Sequence, residues 1–345
     1  MKILVTGASG FIGSFVVEEG LKRGHKMWAG VRPTSSRQYL QDKAILTVDL
    51  DLAHPEVLRK QLEKCKTEFG GWDIIVHAAG ATKCVHRDGF FHTNTDGTRH
   101  LAETLCQLDM VPQRFIFISS LSVYGAIREQ AIRTATPDNP WVYAPIQEDD
   151  EPHPNTAYGE SKLAAEQVLK EMKDFPYVIL RPTGVYGPRE KDYFMMAQSI
   201  KQHIDFSVGF RPQEITFVYV KDLVQAIYLA MEKDVIGRAF FISDGQIYHS
   251  STFSDLIAEE MGHPFFVKIK APVWLLRGIC TINGTISSWR GRTTTLNKDK
   301  YHILRQRNWQ CDIKPALTEL GYQPQYSLKQ GVKETIQWYK KEGWL

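Results

Sequence analysis

The chain has 345 residues, 43% of them apolar, enough for one large or two interleaved domains around a buried core, which excludes a disordered protein. Forty-two Lys and Arg against 39 Asp and Glu leave a net charge of +3 with both signs scattered, so neither a basic stripe nor an acidic tail points to nucleic acid. Five cysteines, Cys65, Cys84, Cys106, Cys280 and Cys311, are widely spaced without a C-x-x-C, the pattern of reduced thiols in a cytoplasmic protein. No signal peptide is expected, because a strand-like run follows Met1 directly. Nor is a transmembrane helix: the apolar stretch 271–282 is broken by Arg277 and Gly278 and is shorter than the roughly 18 residues a span requires.

Short β-branched runs alternate with segments of helical period. Strands are predicted over 2–5, 27–31, 44–50 and 73–79, with helices over 11–23 and 55–69 between them. A helix over 94–108, a strand over 114–119, a helix over 157–172 and a strand over 177–182 continue the series. This rhythm implies a doubly wound parallel sheet with helices on both faces. After Pro188 the rhythm changes to a helix over 192–202, a loop with Gly and Pro, the strand TFVYV, a helix over 222–231 and a late strand over 239–243. The chain thus leaves the sheet and returns. From about residue 250 follow short helices, an aromatic and Arg-rich middle (Trp274, Trp289, Arg290, Arg292), and an amphipathic helix over 328–341. Its Val332, Ile336 and Tyr339 share one face. The Pro-rich, acidic stretch 126–154 is long for a connection and reads as a surface flap.

TGASGFIG sets Gly7, Gly10 and Gly13, with Ser9, Phe11 and Ile12, between the first strand and the first helix. A tight turn, close approach of backbone to a pyrophosphate and close helix packing each demand a residue without Cβ, and the helix N-terminus attracts the phosphates. After strand two an acidic side chain would suit a ribose 2′-hydroxyl. The chain offers Arg32, Ser35, Ser36 and Arg37 there, and a guanidinium fork suits a 2′-phosphate, which favours NADP, with NAD as the alternative. Asp49 and Leu50, after strand three, provide a polar group and an apolar wall for adenine.

TGASGFIG, Asp49-Leu50, HAAG (77–80), SSLSVYG (119–125), YGESK (158–162) and RPTGVYGPR (181–189) resemble, in order and at proper intervals over about the first 245 residues, the extended short-chain dehydrogenase/reductases, the NAD-dependent epimerase/dehydratase family. The resemblance implies a Rossmann sheet over 1–184 and 214–248, and a smaller, discontinuous substrate domain over 185–213 and 249–345. It assigns Ala78, Ala79, Gly80, Arg181, Pro182, Gly184 and Val185 to the cofactor. Ser120 and Tyr158 would bond the substrate oxygen, Lys162 the nicotinamide ribose, and Asn94 would support the site from behind. Thr82, Ser122, Tyr186 and Phe194 would meet the substrate, and a homodimer is implied by analogy. Chemistry supports the same assignment: residues four apart share a helix face, so the Lys162 ammonium would draw the Tyr158 phenol towards neutrality for proton transfer. His77, at the family's asparagine position, is expected to support backbone near the cofactor. Without an HExxH or close histidine pairs, no metal is expected.

Dehydratases of this kind place an acidic pair where this chain has Leu121 and Ser122. Nucleotide-sugar enzymes place an arginine near Ile215 and Thr216, although Arg211, Arg181 or Arg189 could substitute. By contrast, FVYVKDLVQAIYLA is similar to 3β-hydroxysteroid dehydrogenase-like and dihydroflavonol reductase-like members. Phe194, Met195, Met196, Phe206, Trp274, Leu275 and Ile279 suit an apolar pocket. The segment PVWLLRGICTI is expected to pack on the cofactor domain rather than touch a membrane surface. The function expected is therefore NADP-dependent interconversion of a ketone and an alcohol on an apolar small molecule such as a steroid, keto-lipid or polycyclic. The alternatives are a nucleotide-sugar 4-epimerase with tightly held NAD and a non-catalytic dinucleotide sensor.

Overall fold

A computed structural model describes residues 1–130, 142–211, 213–274, 278, 280 and 298–345. Leu275, Ile279, Trp289, Arg290 and Arg292, and part of the 126–154 stretch, lie outside the described residues.

Seven strands form one all-parallel sheet: β1 (Lys2–Thr6), β2 (Lys26–Val31), β3 (Leu46–Asp49), β4 (Ile74–His77), β5 (Arg114–Ile118), β6 (Tyr177–Pro182) and, returning late, Ala239–Ile242, which is β11 in chain order. Their spatial order is β3-β2-β1-β4-β5-β6-β11, so the direction of winding reverses between β1 and β4. Side chains alternate across a strand, and this sorts the core into two layers. Ile3, Val5, Ile116 and Val178 pack on the face covered by α1 (Phe11–Lys22) and α7 (Val220–Glu232). Leu4, Ile75, Phe115 and Ile179 pack on the opposite face, under α2 (Pro55–Phe69), α4 (Gly97–Gln107) and α5 (Ala157–Glu171). Burial on both faces explains why these strands are unbroken apolar runs.

The predicted helix over 94–108 begins differently. After the short α3 (Arg87–Phe90), residues Phe91–Asp96 wind as one π-helical turn before α4. A π turn leaves backbone groups out of the regular ladder, which side chains then satisfy.

Beyond the sheet lie α6 (Asp192–Lys201) and three small sheets. In these β7 (Gly184–Tyr186) pairs with β10 (Phe217–Tyr219), β8 (Ile204–Val208) with β13 (Val267–Ala271), and β9 (Glu214–Ile215) lies between β12 (Tyr248–His249) and β14 (Asn308–Trp309). Two further helices are α8 (Ser250–Glu260) and α9 (Lys298–Arg305). An aromatic cluster of Tyr186, Phe217, Tyr219 and Phe253 joins these pieces. The last helix, α10 (Leu328–Lys341), begins at a capping box on Ser327 and Gln330 and presses Leu328, Val332, Ile336 and Tyr339 into that cluster. All five cysteines are free thiols, and no described helix is long and apolar enough to cross a membrane.

At Gly331 α10 comes close to the cluster, since a Cβ there would lie 2.2 Å from the Tyr186 hydroxyl oxygen. Gly331→Ala must displace a buried ring, and the expected loss is about 1–3 kcal/mol of stability. A denaturation midpoint equal to that of the unaltered protein would contradict this seating of the helix.

Candidate active site

The carboxyl ends of the strands meet at the seam where winding reverses, the place where open α/β sheets bind ligands. Here β1 ends at Thr6 and the chain turns through Gly7, whose φ of +67° strains any L side chain, and whose added Cβ would lie 2.7 Å from the Ala79 nitrogen. At Gly13 a Cβ would lie 2.4 Å from the Gly7 carbonyl oxygen. Gly10 stays exposed and is the N-cap of α1, with no side-chain cap and no acidic residue in the first turn. The N–H groups of that turn are left for an anion, beside partly exposed Ser9, Phe11 and Ile12. A crowded backbone with an open N-terminus fits a dinucleotide pyrophosphate.

At the outer end of the crevice, the side chain of exposed Arg32 has no hydrogen bond or ion pair with the described residues, and its backbone N–H donates to Ser35 Oγ. Ser36 Oγ accepts from the Gln38 N–H. Exposed Asp49 lies 3.6 Å from the Arg37 guanidinium, and Leu50 is buried against Gly30. One arginine is thus engaged with a carboxylate and the other is open to a phosphate.

On the inner side, α5 starts at Thr156, whose Oγ1 accepts from the Gly159 N–H, and carries Tyr158 and Lys162 towards the end of β5. Asp299 of α9 accepts from the backbone N–H groups of Ala157 and Tyr158 at 3.2 and 3.4 Å. Ser120 hydrogen-bonds the Tyr158 phenol and donates to Ser122 Oγ at 3.1 Å. Lys162 Nζ donates to the Ile118 carbonyl at 2.8 Å and lies over the Phe117 ring. Exposed Gly80 keeps this corner open, because a Cβ would lie 3.0 Å from Asn94 Oδ1 and 3.1 Å from Lys162 Nζ. Asn94, buried in the π turn, accepts the Ala81 N–H at 2.7 Å and donates to the Ala81 carbonyl and to Ser161 Oγ.

The electrostatics correct one expectation. Burial pushes the Tyr158 phenol up to about 12, opposed by the Ser120 hydrogen bond, and burial lowers Lys162 to about 8, opposed by Glu166. The chain alone therefore holds Tyr158 as a neutral phenol at neutral pH, because desolvation outweighs the Ser120 hydrogen bond.

His77 is fully buried and held at both nitrogens, 2.7 Å from Thr6 Oγ1 and 3.0 Å from Thr98 Oγ1. The Thr98 hydroxyl donates to the Asn94 carbonyl, so it accepts from His77 Nε2–H; His77 Nδ1 then accepts from Thr6, whose oxygen also accepts the Ala79 N–H. Burial and the nearby Lys162 push this imidazole down to about 3, which keeps the tautomer neutral. One side chain thus ties the glycine turn to the π turn carrying Asn94, a connection the HAAG motif hints at only through its position.

A cavity of about 580 Å3 opens beside Ser120, Leu121 and Ser122 and runs past Pro182 and Gly184. Its walls include Tyr193, Met196, Phe206, Phe217, Phe253 and Trp309, with Lys268, Lys270, His249 and Arg211 as basic members. Several anticipated groups face elsewhere. Phe194 packs on Tyr339 and Trp344, so α6 offers the cavity Tyr193 and Met196 instead. Tyr186 is buried in the aromatic cluster, beside Val185 and against α10. The Arg181 guanidinium is spent on Glu166, so it is not free for a cofactor. Exposed Thr82 and partly exposed Ala78 lie along the loop after β4.

Comparison with known proteins matches this arrangement. Over its full length the chain is 25% identical to the sterol demethylase protein B of Methylococcus capsulatus, covering 100% of each. It is 24% identical to the ceramide reductase of Caulobacter vibrioides, covering 99% of this chain and 96% of that one. The fold superposes on a UDP-glucose 4-epimerase of Thermotoga maritima with a TM-score of 0.75 and 23% identity over 99% of both chains. Residues 3–243 match the profile of the NAD dependent epimerase/dehydratase family, and with its glycine turn, its Ser120, Tyr158 and Lys162 and its late-returning strand, the chain belongs to that family of enzymes.

Proposed function

We propose that the protein is an NADP-dependent oxidoreductase interconverting a ketone and an alcohol on an apolar substrate. The observation that carries this is the cavity beside Ser120, which presents a wall of aromatic and aliphatic side chains among its polar ones and is large enough for a steroid- or lipid-sized molecule. Likeness to proteins named for a sterol and for a ceramide supports the same class.

In this proposal residues 1–184 and 214–248 hold the dinucleotide and 185–213 with 249–345 shape the substrate site, within a cytoplasmic homodimer. The dinucleotide, when bound, supplies or accepts the hydride. Ser120 donates to the substrate oxygen, and Tyr158 gives its phenolic proton to that oxygen as the carbonyl carbon gains hydride; the phenolate then recovers a proton from water. A phenol held near 12 is protonated at neutral pH yet more acidic than a developing alkoxide, which suits it as the acid of a reduction. Asn94 and the Ser161 hydroxyl keep the loop after β4 fixed beneath these groups.

One observation favours the rival, a nucleotide-sugar 4-epimerase: the cavity wall carries the basic residues Lys268, Lys270, His249 and Arg211, whose chemistry suits an anionic substrate, with Lys268 also paired to Asp255. The two separate cleanly. Consumption of NADPH on a steroid or keto-lipid is expected; cofactor that stays bound through gel filtration, with no net absorbance change while a UDP-sugar turns over, would replace the reductase by the epimerase.

Tyr158→Phe is expected to lower kcat by roughly two to four orders of magnitude while leaving NADPH affinity close to normal, read by steady-state kinetics and fluorescence titration. Undiminished turnover would remove Tyr158 from the chemistry. Arg32→Asp is expected to shift the preference from NADPH to NADH in the same titration, since a carboxylate repels a 2′-phosphate. An unchanged preference would mean that another group reads the ribose.

A further inference from the structure

Glu166 lies one helical turn beyond Lys162 and is fully buried, and Arg181 near the end of β6 is buried beside it. Arg181 Nε and Nη2 donate to its two carboxylate oxygens at 3.0 and 2.6 Å, and Ser119 Oγ donates to Oε1 at 2.6 Å. The third guanidinium nitrogen donates to the Tyr124 hydroxyl at 2.9 Å, and that hydroxyl donates to the Glu148 carbonyl. At the margin, Lys170 Nζ stands 3.5 Å from Glu166. Each partner adjoins a functional segment. Ser119 precedes Ser120, Glu166 shares a helix with Tyr158 and Lys162, and Arg181 precedes Pro182 and Gly184 at the cavity wall. Lys162 and Glu166 thus bond consecutive residues at the end of β5, one the carbonyl of its last residue, Ile118, and the other the hydroxyl of Ser119, which follows it.

Buried ion pairs add little net stability, since desolvating two charges costs about what their attraction returns, and apolar pairs of similar volume often replace them without loss. We propose that the buried Glu166–Arg181 pair is the positioning element of the active site, locking the β5 end, the Tyr158 helix and the Pro182–Gly184 segment into one geometry and placing a carboxylate charge behind Lys162. The other titratable groups against Lys162 are His77 from β4 and Tyr158, and both are uncharged. On the elements packed around α5, ionisable groups pair at the surface: Arg87 with Glu160 and Arg99 with Glu103 as ions, and His92 Nδ1 within hydrogen-bond distance of Asp96. Glu166 is the carboxylate that opposes the loss of the Lys162 proton.

The proposal rests on Lys162 and Tyr158 being the working groups, and its test does not require turnover. The full chain is labelled with 13Cε-lysine, the Lys162 signal is identified by its loss in Lys162→Arg, and its titration is followed by NMR. Glu166→Gln and Arg181→Met each strand a buried charge and are expected to melt at lower temperature; the double variant, with neither charge, recovers most of that loss. In the folded double variant the Lys162 midpoint is expected about one pH unit below that of the unaltered protein, because the carboxylate is gone. A midpoint that stays in place there would overturn the proposal. If the double variant does not fold, Glu166→Gln, which retains the shape and the Ser119 hydrogen bond, is compared with Glu166→Asp, which retains the charge. A shift only in Glu166→Gln supports the proposal, and a shift in both or in neither overturns it. Absence of ketone turnover with the shift present would fault the reductase assignment alone.

Discussion

A parallel sheet whose winding reverses between β1 and β4 cannot be closed by helices at that seam, because the connections on either side depart in opposite directions. The gap is where the glycine turn, Ser120, Tyr158 and Lys162 gather. Thr6, His77 and Ser119 are the last or next residues of three neighbouring strands, and the glycine turn, the π turn and α5 are the three pieces of backbone that must approach them. Close approach explains the residues without side chains, since Gly7 and Gly13 stand where a Cβ would overlap backbone.

Bringing so many strand ends together also buries polar groups, and the molecule satisfies them in two separate chains of hydrogen bonds. One passes from the Ala79 N–H through Thr6, His77 and Thr98 to the Asn94 carbonyl, with each donor and acceptor used in a fixed sense. Being neutral, it provides rigidity without adding a field. The other, built on Glu166 and Arg181, is ionic and lies under α5. The first aligns the glycine turn with the π turn, and the second aligns the helix bearing Tyr158 and Lys162 with β5 and β6. Between them Lys162 meets a neutral imidazole on one side and a carboxylate on the other, so its charge depends on the second chain.

Much of this arrangement is legible in the sequence where function depends on local spacing. The three glycines, the four-residue interval from Tyr158 to Lys162, and the i, i+4, i+7 face of the last helix each specify a geometry within one element, and each is found as spaced. Harder to read are partnerships between elements. Glu166 is an ordinary helix residue until Arg181 of β6 is set against it, and Arg181 in turn looks like a free cation beside the cofactor. Asp299 acquires meaning only when α9 returns to the first turn of α5. At α6 the difficulty is rotational phase: an apolar run of Tyr193, Phe194, Met195 and Met196 does not state which residue faces inward, and the packing of Phe194 on α10 turns Tyr193 and Met196 to the cavity.

The same contrast explains why the cofactor is easier to infer than the substrate. A pyrophosphate is held largely by backbone, and backbone demands appear as glycines in a short segment. The cavity beside Ser120 is walled largely by α6, β8, α8, β13 and α9, elements spread over more than a hundred residues and joined by an aromatic cluster rather than by a motif. Aromatic side chains can be exchanged among such positions while preserving a wall, so pocket chemistry leaves little mark on spacing. What does persist is the link from these late elements to the helix of Tyr158: Asp299 holds its first backbone amides, so a segment that walls the cavity also seats the group proposed as proton donor.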